Sequence, residues 1–139
     1  MRRAVGYISL IIILGVSLMA CSSRSPSEEL LRRSTEEIRE YLLELAPIGS
    51  GMDDIIMLIE ESETWEIWNI DRRNGFPMVE GDPLTIGNYV PGAIIVGTQS
   101  MRVELGRYRH NIFALYLTYV TTFWAFDNNS MLIDVQVRK

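Results

Sequence analysis

Apolar and polar positions follow three rhythms along this chain. Residues 4–20 carry no charge at all, and residues 10–14 are only Leu and Ile. From residue 28 the apolar positions become periodic. Leu30, Leu31, Ile38, Tyr41, Leu42 and Leu45 recur at three- and four-residue steps, which predicts an amphipathic helix. It ends near Ala46, because Pro47 cannot continue it. Ser25 reads as its N-cap, with Pro26 at the first helical position and Glu28 as the capping-box acid. Ser34-Thr35-Glu36-Glu37 offers a second start of the same kind. Met52, Ile55, Ile56 and Ile59 form the stripe of a second helix, with Ser50 as its predicted cap. Asp53 and Asp54 suit the positive end of that helix.

Beyond Thr64 the rhythm shortens. "TWEIWNI" is aromatic and β-branched and reads as a strand. Residues 71–92 hold Pro77, Pro83, Pro91 and four glycines, and read as a long loop. "GAIIVG" is a short apolar segment. Met101, Val103 and Leu105 then alternate with Arg102 and Glu104, one face dry and one wet. Residues 113–126 read as a long strand and "DNNS" as a hairpin turn. The closing strand places Met131, Ile133, Val135 and Val137 on one face. The expected fold is α+β: two helices packed on a three- to four-stranded antiparallel sheet, in two layers. Chain order puts residues 113–126 in the middle of the sheet, between 101–109 and 131–137.

The uncharged opening run follows Arg2 and Arg3 and ends "LMAC". A basic start, an apolar middle and small residues at the end are the layout of a secretory signal. The run falls slightly short of the roughly 20 residues of a spanning helix. "LMAC" looks like a bacterial lipobox, and Cys21 is the only cysteine. The expectation is a signal peptide at 1–20, lipid on Cys21, a tether at 21–27 and one domain at 28–139. A lipidated Cys21 leaves no thiol for a disulfide, a metal site or a nucleophile. Ser22, rather than Asp, after the cysteine leans towards the outer membrane, with the domain facing the periplasm.

Charge narrows the function classes. Without Arg2 and Arg3 the chain keeps 11 basic against 18 acidic residues, a net charge of −7. That balance argues against nucleic acid as a partner and against docking on anionic lipid head groups. His110 is the single histidine, so no histidine cluster for a metal exists. No nucleophile elbow or phosphate loop appears. Glu80 and Asp82 are the nearest pair for hydrolytic chemistry on glycans. No catalytic residue, cofactor or metal is expected.

Three stretches carry a family resemblance: "LMAC", "PIGSGMDDII" and "FWAFDNNSMLIDVQV". In this order they resemble small envelope lipoproteins of the SmpA/OmlA type, which include an accessory subunit of the outer-membrane β-barrel assembly machinery. The resemblance implies two helices on a three-stranded antiparallel sheet, as in repeats of the β-lactamase inhibitor protein. It implies a binder rather than an enzyme. The 71–92 segment departs from that pattern.

The long strand has no polar face. Leu115, Leu117 and Tyr119 lie on one side, and Tyr116, Val120 and Trp124 on the other. Either the 71–92 segment covers the second face, or that face meets a partner. Under the second reading Tyr116 and Trp124 are the partner-binding residues. The expected function is that of a lipid-anchored, non-enzymatic envelope protein that binds another protein as an assembly or scaffold module. The alternative is a periplasmic ligand-binding or hydrolytic domain acting on cell-wall or lipid material.

Overall fold

The computed structural model describes residues 26–139. The expected signal, Cys21, the Ser25 cap and the start of the tether lie outside the described residues. The first helix, α1, spans Pro26–Arg32, so the last two residues of the expected tether are helical. The expected single helix is in fact two. The chain breaks at Ser34, and α2 runs Thr35–Leu45. Ser34 forms a full capping box. Its hydroxyl accepts from the Glu37 N–H at 3.2 Å, and the Glu37 carboxylate accepts from the Ser34 N–H at 2.8 Å. The second start signal therefore wins over continuation of the first helix.

α3 spans Met52–Glu60 and buries Met52, Ile55 and Ile59. Its N-cap is Gly51, not Ser50, and no side chain caps it. The Ser50 hydroxyl instead donates to the Pro47 carbonyl at 2.6 Å. The cause lies in the connector. Gly49 donates to the Leu132 carbonyl and Leu132 to the Ser50 carbonyl, while Met52 donates to the Ser130 carbonyl. These bonds fasten residues 49–52 to the turn before the last strand and delay the helix by one residue.

Six strands follow: β1 (Glu66–Asp71), β2 (Phe76–Met78), β3 (Ile94–Val96), β4 (Gln99–Arg109), β5 (Leu117–Phe126) and β6 (Leu132–Arg138). The main sheet is antiparallel in the order β1-β4-β5-β6. The aromatic strand is thus interior, flanked as chain order predicts. It starts at Leu117 rather than at residue 113. The fold is α+β, with the helices on one face of this sheet. Their core packs Leu31, Ile38, Leu42, Ile55 and Ile59 against Met101, Val103, Leu105, Val120, Trp124, Phe126 and Val135.

The other face is half covered, in line with the reading in which the 71–92 segment lies over it. The segment read as a loop at 71–92 contains β2 and a short 3-10 helix, Pro83–Thr85, and β2 pairs with β3. Phe76 and Ile86 from this cover bury Phe123 and Ala125 of β5 in a second, smaller core. The Phe76 and Phe123 rings meet at 5.6 Å. Gly87 makes the approach possible: its φ is +78°, and a Cβ there would sit 2.2 Å from the Phe123 ring.

Three bulges set which side chains face out. Ile67 pairs with Val103 and Asn69 with Arg102, leaving Trp68 extra in β1. Leu105 is extra in β4, before Gly106, and Ile133 is extra in β6. The last one corrects the closing strand. Leu132, Val135 and Val137 are buried, whereas Met131 and Ile133 are exposed. The free edge of β6 is closed by α2: Arg39 Nε donates to the Val135 carbonyl at 2.7 Å and its Nη2 pairs with Asp134 at 3.0 Å. Such closure blunts an otherwise sticky edge.

Candidate docking groove on the outer sheet face

The cover stops at the level of Phe123, and the rest of the outer face is open. At the boundary a row of side chains crosses all four strands. The Arg102 guanidinium lies 4.7 Å from the Trp68 ring centre and 5.6 Å from that of Phe123. Arg138 covers Phe123 from β6 at 5.1 Å. The bulge turns Trp68 outward onto Arg102; a regular strand would have placed it differently relative to Ile67 and Ile70, which both pack on the main core.

Beyond this row lies a shallow groove of about 400 Å³, lined by Trp68, Arg102, Glu104, Leu117, Tyr119, Thr121, Arg138 and Lys139. Trp68 is 51 % exposed and Tyr119 45 %. Three cations meet one carboxylate here, on a chain whose overall charge is negative. Arg138 donates to the Ile86 carbonyl, which ties the groove to the cover. Burial, and then the like charge of Arg102, push the Arg138 guanidinium below its ordinary value. Burial also lowers the Lys139 ammonium, with Glu37 acting in the opposite sense. Arg102 Nε is buried without a hydrogen-bond partner among the described residues. The neighbouring cations make this face receptive to carbonyl or carboxylate groups of a partner.

The two residues predicted to share a partner surface are far apart in character. Trp124 is 0 % exposed and belongs to the helix-side core, where its Nε1 donates to Thr122 Oγ1 at 2.9 Å. It is a core residue and belongs to no partner surface, contrary to the expectation from strand parity. Tyr116 is fully open, but it precedes β5, so strand parity does not reach it. Cys21 lies outside the described residues.

The hydrolytic candidates are not assembled into a site. The Asp82 carboxylate accepts from the Leu84 N–H at 3.0 Å and caps the 3-10 helix, while Glu80 is exposed in the preceding turn. His110 is exposed at the end of β4. Asp53 pairs with Arg72 at 3.0 Å on the surface. Among the described residues no group of three or more His, Cys, Asp or Glu is placed to hold a metal ion. No helix among them is long and apolar enough to cross a membrane.

Compared with known proteins, the chain matches no family model, no curated protein and no solved structure.

Reading by alternation missed the groove. One signal was present: Trp65 and Trp68 stand three apart, so a regular strand cannot turn both to the same face.

Proposed function

We propose that this chain is a lipid-anchored protein of the bacterial envelope, held through Cys21 at the outer membrane, that binds a second protein and catalyses nothing itself. The lipobox and the SmpA/OmlA-type resemblance support the address. The binding role rests on one observation: the open half of the outer sheet face. Its Trp, Tyr and Arg side chains are the types that dominate binding hot spots. They line a groove left unfilled although the other half of the same face is sealed by the cover. The groove's cations suit a partner with an acidic or carbonyl-rich contact surface.

The test is capture from detergent-solubilised envelopes by the full lipidated chain and by its Trp68→Ser/Tyr119→Ser double variant. Both residues are half exposed, so the variant keeps its fold by circular dichroism. The expected result is a protein retained by the wild type and lost by the variant. Equal retention by both would overturn the docking role, and turnover of cell-wall or lipid material by the purified chain would overturn the non-enzymatic reading.

A further inference from the structure

The β4–β5 hairpin ends in a tip that no other part of the described chain covers. Ile112, Phe113, Leu115 and Tyr116 are 84 %, 85 %, 88 % and 84 % exposed. Single exposed apolar residues are ordinary, but four within five positions are not. The tip is shaped by its own bonds. Asn111 Oδ1 accepts from the Phe113 N–H at 2.9 Å, and the Asn111 carbonyl accepts from the Ala114 N–H at 3.1 Å. These turns hold the backbone while the large side chains project. Exposed Arg107, Arg109 and His110 precede the tip at the end of β4.

The tip is also fastened to the start of the described chain. Arg32, at the end of α1, donates to the Arg109 carbonyl at 2.6 Å and the His110 carbonyl at 3.3 Å, and lies over the Tyr108 ring. α1 begins at Pro26, five residues after Cys21. Five extended residues reach at most about 18 Å. The seven residues of α1 add about 10 Å. Lipid on Cys21 would therefore keep Arg32, which holds the base of the tip, within about 30 Å of the bilayer surface by these lengths. We infer that the β4–β5 tip is a second membrane contact, with Ile112, Phe113, Leu115 and Tyr116 entering the bilayer surface that holds the Cys21 lipid.

This inference rests on the lipoprotein reading above. Its chemistry fits an interface: aliphatic and phenyl groups for the acyl boundary, a tyrosine for the head-group level, and arginines for the phosphates. Acyl chains already retain the protein, so the tip sets its orientation. Leu117 and Tyr119 follow directly on the tip, so insertion places the docking groove beside the membrane and selects a partner whose contact surface lies there.

The experiment uses the full acylated chain. Acylation consumes Cys21, so Phe113→Cys introduces its only free thiol, as Arg73→Cys does at the opposite end of the sheet. Each is labelled with an environment-sensitive fluorophore and reconstituted into phosphatidylcholine vesicles containing acyl-chain spin-labelled lipid. The expected result is a blue-shifted emission and several-fold stronger quenching at position 113 than at position 73. Equal quenching at the two positions would overturn the inference, as would a tip protected only when a protein partner or a second copy is present. Intact mass of the same preparation reports the lipid on Cys21 separately, so a missing anchor and a tip that stays in water are distinct results.

Discussion

The guanidinium of Arg102 lies over Trp68, 4.7 Å from its ring centre, where a bulge in β1 turns that tryptophan outward. One extra residue in an edge strand thereby converts a side chain of core type into the wall of an open groove. The same guanidinium reaches Phe123, where the cover ends. The row from Trp68 to Arg138 is thus the border between a sealed half-face and an accessible one. Cation–π contacts at exposed sites contribute about 0.5–1 kcal/mol each. The row orders the groove more than it stabilises the fold.

The cap that matters is Ser34. Ser34→Ala should cost about 1 kcal/mol, since it removes one half of a reciprocal capping box. Ser50→Ala should change stability by less than about 0.5 kcal/mol, because the Ser50 hydroxyl caps no helix. Urea denaturation midpoints decide this. A larger loss for Ser50→Ala than for Ser34→Ala would contradict the observed start of α3.

The same cap predicts an acid dependence. The Ser34 hydroxyl, and then its N–H, hold the Glu37 carboxyl below its ordinary value of 4.5. A carboxylate depressed in the folded state contributes stability above its unfolded value and loses it as the pH falls through the folded one. Glu37→Gln should therefore be less stable than the wild type at neutral pH. The gap should close as the pH is lowered to about 2. A gap of constant size across that range would contradict a charged cap.

Much of this was legible in the chain, and what was not has definite physical causes. Sheet order follows from sequential strands and from the Asp127 turn, whose carboxylate accepts from the Asn129 and Met131 N–H groups. The wet and dry faces of β4 follow from strict alternation over residues 101–105. Alternation fails where a bulge adds a residue: at Trp68, just past Leu105, and at Ile133. Parity also misleads beyond a strand end, which is why Tyr116 was grouped with the buried Trp124. Cover of the second face by the 71–92 segment is one of the two readings the chain offers, but the pairing within that cover is not legible. Its strands are three residues long, too short to show a period, and it is held by Phe76 and Ile86 rather than by an apolar run.

The cover depends on Gly87. Alanine there would need φ near +78° and would place its Cβ against the Phe123 ring. Gly87→Ala should destabilise the protein by more than about 1 kcal/mol. Limited proteolysis should cut residues 72–98 faster, while the helix-side core around Trp124 stays protected. An unchanged midpoint with unchanged cutting would mean that the cover does not seal Phe123.

On the proposed function, the open half of the outer sheet face docks an envelope protein. A photo-crosslinking amino acid at Tyr119, in the lipidated chain in its own cells, tests this most directly. Met57, exposed on the helix side, is the control position. Docking there should give one discrete adduct with an envelope protein from Tyr119 and none from Met57. No adduct from Tyr119, or the same adducts from both positions, would contradict it.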